Sequence, residues 1–316
     1  MVVLVTGGTG FIGRWVVKKL LEENKKVIVI DNLSNSRKDN LDEFKENENL
    51  IEIIIDDIRN KEVVEKIFLK FKISICIHLA AQIDVQESLD HPDRAFENNL
   101  LGTYYILEAA RKTNSKVVLV GTCLVYDMAD TNIAISETHR VRPRSPYAGS
   151  KIAAEELAFS YYYGLGLPVV VLRPFNTYGP FQKTNTEGGV ISIFIRLKIK
   201  GEKLKIFGDG TQTRDFLYVE DCAEFIVNAS ENENCIGEII NAGTGNDISI
   251  NELAKLIVDD ETLIKHVKHH HPQSEIKKLV CNNSKAKKLL NWEPKTLLEE
   301  GVKKLENWLK DLERIK

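Results

Sequence analysis

Gly7, Gly10 and Gly13 follow the apolar run 2–5 directly and open a helix-like segment over 11–24. The pattern leaves the chain little choice. One glycine makes the tight turn out of a strand, one lets backbone approach a pyrophosphate, and one allows close packing of helix on strand. The helix N-terminus then faces the phosphates. Phe11 and Ile12 lie inside the same cradle. A strand, a glycine turn and a helix at the head of the chain predict an α/β fold that holds a dinucleotide.

The rest of the chain repeats that rhythm. Apolar, β-branched runs at 27–30, 51–55, 73–78, 116–120 and 169–172 read as strands covered on both faces. Helical patterns at 61–71, 94–113 and 147–165 separate most of them. Such alternation predicts a Rossmann-type, doubly wound parallel sheet. The rhythm changes after about Arg173, where a loop-rich stretch leads to helical patterns at 190–200 and 217–229 and a last strand at 238–241. The expected organisation is a dinucleotide-binding domain over 1–175, with 215–245 returning to it. Residues 176–214 and 246–316 then form a smaller, interleaved substrate-binding region.

A net charge of -3 gives no electrostatic reason to expect nucleic acid or an anionic membrane as partner. The apolar runs are too short to span a bilayer. Five scattered cysteines without a Cys-x-x-Cys pair fit a reducing cytoplasm, and a strand at the amino terminus leaves no room for a leader. A cytoplasmic protein is expected.

Asp31 ends the second strand pattern, with Asn32 beside it. A carboxylate there accepts from adenosine ribose hydroxyls and repels a 2′-phosphate, which favours NAD over NADP, although Arg37 is near. Asp57 and Ile58 follow the third strand, where an adenine edge would lie; Asp57 also suits a turn cap. Leu79, Ala80, Ala81 and Gln82 end the fourth strand with residues small enough for close approach to a cofactor, and His78 reads as structural.

Tyr147 and Lys151 are four residues apart on a helical pattern and share a face. A buried ammonium beside a phenol favours the phenolate, a usable base for a sugar or alcohol hydroxyl. Thr122 leaves the fifth strand at its carboxyl end, where ligands of such sheets sit, and can donate to a substrate oxygen or relay a proton to Tyr147.

With these motifs, nearly the whole chain resembles the extended short-chain dehydrogenase/reductase family, and within it the UDP-glucose 4-epimerase-like epimerases and dehydratases of nucleotide sugars. Asn98-Asn99-Leu100-Leu101-Gly102-Thr103, the segment 173–180, the segment 206–216 and Asn291-Trp292-Glu293-Pro294 carry the same resemblance. It implies a triad of Thr122, Tyr147 and Lys151, and a supporting role for Asn99 toward active-site backbone or a bound water. It places Asn176 on the substrate diphosphate, Phe207 against the base and Arg214 on phosphate, with Val190 and His271 among the substrate contacts. It also implies a homodimer through the helices at 94–113 and 147–165.

The chain departs from that pattern in places. Cys123 and Leu124 stand where 4,6-dehydratases of the family carry an acidic pair. Leu124 can neither protonate nor deprotonate a sugar, whereas Cys123 is either an acid/base or a small buried residue. Asp127 replaces a glycine after Tyr126, and His271 replaces an arginine. Adjacent histidines at 266 and 269–271 rarely converge on a metal without other ligands, so no metal is expected. The expected activity is NAD-dependent epimerisation of a nucleoside-diphosphate sugar, a UDP-sugar favoured, at C4 through a 4-keto intermediate. The alternatives are a 4,6- or 5,6-dehydratase using Cys123, and an NAD-binding redox sensor without turnover.

Overall fold

The computed structural model describes residues 1–128, 133–183, 189–268 and 276–314. Six parallel strands come first in the chain: β1 (Val2–Thr6), β2 (Lys26–Asp31), β3 (Leu50–Ile55), β4 (Ile75–His78), β5 (Lys116–Val120) and β6 (Val169–Pro174). A seventh, Ile239–Ala242, pairs in parallel with β6. Across the sheet the order is Ile239–Ala242, β6, β5, β4, β1, β2, β3. The order reverses between β1 and β4, which opens a crevice beyond their carboxyl ends.

Two-sided burial explains the continuous apolar runs. Val3, Val5, Val27, Val29, Ile75 and Ile77 face one layer, while Leu4, Ile28, Ile30, Cys76, Val117 and Leu119 face the other. The first layer is closed by α1 (Phe11–Glu22) through Trp15, Val16 and Leu20. The second is closed by α2 (Lys61–Phe71) through Val64, Ile67 and Phe68. Asn60 caps α2 by accepting from Val63 N at 3.4 Å, and Lys72, at φ 51°, ends it. The short helices α3 (Val85–Asp90) and α4 (Pro92–Ala95) follow β4. Next come α5 (Gly102–Thr113) and α6 (Pro146–Leu165), which complete the second layer.

The single helix expected over 94–113 is three pieces. Between α4 and α5 the segment Phe96–Leu101 is wound as a π-helix. The helix expected over 217–229 is also divided: Phe216–Tyr218 is a strand paired in parallel with Asn176–Tyr178. The aromatic residues of Phe216–Tyr218 suit a strand. The helix starts only at Val219, with Glu220 and Asp221 in its first turn, and runs to Glu231. It adds Cys222, Phe225 and Ile226 to the first layer.

Around a separate apolar cluster, Phe194 of the helix Val190–Ile199 meets Leu253 of Ile250–Ile257 and Leu305 of Leu298–Arg314. Short strands surround it, Leu204–Phe207 pairing with Ile264–Val267, and Thr213–Arg214 lying between Ile248–Ser249 and Lys278–Leu279. No helix among the described residues is long and apolar enough to cross a membrane.

Trp292 ties the carboxy-terminal part to the first layer. Its ring is 2% exposed, and its centroid lies 5.1 Å from that of Phe225. Trp292→Ala is expected to cost about 3–5 kcal/mol, read as a lower guanidinium midpoint at unchanged slope. Trp292→Phe, which also removes an indole nitrogen that has no hydrogen-bond partner among the described residues, should cost less.

Candidate active site

A cavity of about 330 Å³ runs along the carboxyl edge of the sheet, from the glycine turn to Thr122 and Tyr147. Gly7 sits at φ +69°, and a Cβ there would lie 2.9 Å from Ala80 N. A Cβ on Gly13 would lie 2.1 Å from the Gly7 carbonyl oxygen, so the first turn of α1 rests directly on the turn that precedes it. Gly7, Gly10, Phe11, Ile12 and Gly13 all line the cavity.

Asp31 and Asn32 line the same end. Asp31 Oδ2 accepts from Thr9 N at 3.1 Å, and Oδ1 accepts from Leu33 N and Ser36 Oγ, both at 2.9 Å. The carboxylate is therefore fixed in place before any ligand arrives. Asp57 turns elsewhere: it accepts from Arg59 Nη2 at 2.9 Å and from Asn32 Nδ2 at 2.8 Å. Burial pushes its carboxyl up, but these hydrogen bonds win and bring it down to about 2. Asp56 and Ile58 line the cavity in its stead, so Asp57 serves the turn-capping alternative.

Leu79, Ala80 and Ala81 form the floor. Gln82 and Asn99 stand behind it. Asn99 Oδ1 accepts from Gln82 N at 2.8 Å, while its Nδ2 donates to Gln82 O at 3.0 Å and to Ser150 Oγ at 2.9 Å. Ser150 Oγ in turn donates to Tyr147 O at 2.8 Å. The π-wound segment thus ties the loop after β4 to the first turn of α6. His78 is buried between Thr6 Oγ1, at 2.7 Å from Nδ1, and Thr103 Oγ1, at 3.0 Å from Nε2. Burial pushes it down to about 3, and it stays neutral.

Thr122, Tyr147 and Lys151 meet at the other end of the cavity. Thr122 Oγ1 accepts from Leu124 N at 3.2 Å, which shapes the turn leaving β5. Pro146 opens α6 behind the Ser145 cap and brings Tyr147 to the strand ends. Lys151 Nζ donates to Val120 O at 2.7 Å. Burial lowers Lys151 to about 8, against a push upward from Glu155. Burial also pushes the Tyr147 phenol up to about 12, and a hydrogen bond with Thr122 offsets only part of this. The expected lowering of the phenol is thus absent in the protein alone, because desolvation outweighs the neighbouring groups.

Cys123 and Leu124 line the cavity next to Thr122. Cys123 packs with Ile135, Phe175 and Leu279, and burial pushes its thiol up to about 12. Asn176 lines the wall, and its buried Oδ1 has no hydrogen-bond partner among the described residues.

Val190, Phe207 and Arg214 are not brought to this cavity. Val190 opens the helix Val190–Ile199, and Phe207 ends a small strand. Arg214 Nη1 donates to the carbonyls of Thr213 at 2.8 Å and Ile276 at 2.7 Å, and its charge acts on the Cys123 thiol at the cavity wall. His271 lies outside the described residues, as do His269 and His270. His266 Nε2 is hydrogen-bonded to Asn251 Oδ1 at 3.0 Å.

Phe181, Gln182 and Lys183 line the cavity without having been singled out in the sequence. Phe181 adopts φ 71° and lies 3.8 Å beneath the Arg14 guanidinium of α1. Lys183 Nζ donates to Asn35 Oδ1 at 2.8 Å, a bond between two lining residues from distant parts of the chain. The loop directly extends the 173–180 motif, which was the one available signal.

All five cysteines are buried. The native protein should therefore resist a thiol reagent at pH 8 and release its five thiols only on unfolding, as followed by the absorbance of the released chromophore. Rapid native reaction of one thiol, lost in Cys123→Ala, would show that Cys123 is activated.

The profile of the GDP-mannose 4,6 dehydratase family matches residues 4–305. Pal from Bacillus thuringiensis is 55% identical to the chain and superposes with a TM-score of 0.97, covering 99% of this chain and 100% of Pal. UDP-glucose 4-epimerase of Thermus thermophilus, solved in complex with NAD, is 32% identical with a TM-score of 0.89, over 98% of this chain and 99% of that one. UDP-glucuronate 4-epimerase of Thermodesulfobacterium geofontis is 37% identical over 98% of this chain and 96% of its own length. The chain belongs to the GDP-mannose 4,6 dehydratase family, among the extended short-chain dehydrogenase/reductases that act as nucleotide-sugar epimerases and dehydratases.

Proposed function

We propose that the protein is an NAD-dependent nucleoside-diphosphate-sugar epimerase acting at C4, with a UDP-sugar as substrate. One observation carries the reading: a single cavity has the glycine turn and Asp31 at one end and Thr122, Tyr147 and Lys151 at the other. The residues fit the cofactor. Gly7, Gly10 and Gly13 make a tightly packed turn that lines the cavity where a pyrophosphate would approach, and Asp31 is set to accept from ribose hydroxyls. NAD, when bound, supplies reversible two-electron oxidation at the sugar carbon and, in its nicotinamide cation, a positive charge that favours the Tyr147 phenolate.

Tyr147 Oη takes the proton of the sugar 4-hydroxyl and later returns it. Thr122 holds the same oxygen and the phenol. Lys151, charged below about pH 8, favours the phenolate while its ammonium stays anchored on Val120 O. Asn176, on the cavity wall, would donate through its amide nitrogen to the diphosphate. The family includes UDP-sugar enzymes, which supports uridine as the base. Leu124 offers no acid beside Thr122, and the Cys123 thiol, pushed up to about 12, is a weak one. Those two residues favour epimerisation over dehydration. The cavity-wall position of Cys123 keeps a dehydratase with the same first step as the second reading. A homodimer through α5 and α6 belongs to the proposal, since Tyr104, Tyr163 and Leu165 leave an apolar face on them exposed. So does a cytoplasmic location.

The protein is to be incubated with UDP-, dTDP-, GDP- and CDP-sugars and the products read by mass and proton NMR. An isobaric product with inverted C4 couplings is expected. A product lighter by one water would replace the epimerase with the dehydratase, and bound NAD without any product would favour a sensor. Tyr147→Phe should lower turnover about 100-fold or more. Lys151 loses its proton as pH rises through about 8, so the rate should fall on that alkaline side even though the phenol itself ionises more readily there.

A further inference from the structure

One turn after Lys151, α6 carries Glu155, which is completely buried. Residues four apart on a helix share a face, so the carboxylate follows the ammonium toward the sheet. Glu155 Oε2 accepts from Arg173 Nε at 2.9 Å and from Nη2 at 2.6 Å. Arg173, on β6, is 2% exposed, and its guanidinium lies 4.8 Å from the ring centroid of Tyr126. Glu155 Oε1 has no hydrogen-bond partner among the described residues. It lies against Gly121, where a Cβ would come within 2.2 Å of it. Gly121 directly follows Val120, whose carbonyl holds the Lys151 ammonium. The uncommitted oxygen thus faces the strand end where Lys151 is anchored, and the guanidinium sits on the far oxygen.

A buried ion pair is weak evidence for stability, because packed apolar residues of similar volume often serve as well. The orientation of this one suggests a different use. We propose that Glu155, clamped by Arg173, is a positioning residue that keeps Lys151 charged and directed at the end of β5. The proposal rests on the reading of Lys151 as the ammonium of the site, but it makes no demand on which sugar is turned over.

The surroundings of Lys151 single out Glu155. Tyr147 on the same helix is a buried phenol, and burial holds it protonated. His78 on β4 is held neutral by burial, with the Lys151 charge acting in the same direction. Cys123, in the turn after β5, stays a thiol. Arg173 on β6 carries a like charge, which Glu155 screens. Burial pushes Glu155 up, opposed by the Arg173 guanidinium on its Oε2 and by the charge of Lys151. Glu155 is then the group that opposes loss of the Lys151 proton.

The test needs no substrate. Protein with lysine labelled at 13Cε is titrated by NMR, and the Lys151 signal is assigned by its loss in Lys151→Arg. In Glu155→Gln the Lys151 midpoint is expected to fall by about one pH unit or more. Glu155→Asp should recover part of the shift. A midpoint that does not move in Glu155→Gln overturns the proposal. If Glu155→Gln strands Arg173 and does not fold, Glu155→Leu with Arg173→Met removes both charges. A smaller fall in the same direction is expected there, because the like charge of Arg173 leaves together with the carboxylate, and an unmoved midpoint again overturns the proposal. A protein that turned over no nucleotide sugar would still give this result, so failure of the epimerase reading and failure of this one are separate.

Discussion

The bare α-carbon of Gly13 against the carbonyl of Gly7 is the contact on which the site depends. It draws the amino end of α1 down to the carboxyl ends of β1 and β4, where the sheet order reverses. Ala80 closes on the same turn from the other side, with room for no side chain at Gly7. A helix end with its free N–H groups then faces the crevice. Everything else along the cavity is hung from strand ends that this contact brings together.

Desolvation governs the chemistry of the far end. The same burial holds His78 neutral, keeps the Tyr147 and Cys123 protons on, and weakens the hold of Lys151 on its own. A dry site of this kind favours uncharged forms until a charge is delivered to it. Glu155 and Arg173 are the exception, a fully buried pair joined by two hydrogen bonds.

The sheet and the glycine turn were legible because their causes are local. Two-sided burial writes unbroken apolar runs, and a close backbone approach writes glycine. Tyr147 and Lys151 were legible because a helix converts spacing into a shared face. The strand Phe216–Tyr218 was not, since its pairing with Asn176–Tyr178 is made far away in the chain and its apolar residues continue into a helix. The exchange of Asp57 for Asp56 turns on one residue at a strand end, and no pattern predicts that Arg59 claims the carboxylate. Phe181 and Lys183 reach the cavity through Arg14 and Asn35, partners that spacing cannot announce. The resemblance carried Arg214 and Phe207 to a ligand, yet neither lines this cavity.

The π-wound segment Phe96–Leu101 has a geometric meaning of its own. A π turn holds one residue more than the α turn it interrupts, so the segment offsets the angular phase of α4 from that of α5. Each residue of an α-helix advances the side chain by about 100°. Removing Asn98 would let the winding close to plain α and swing Asn99 about that far around the axis, away from Gln82 and Ser150. The orientation of Tyr147 is therefore tied to an irregularity in a neighbouring helix. Among relatives, chain length at 96–101 should vary less than sequence there.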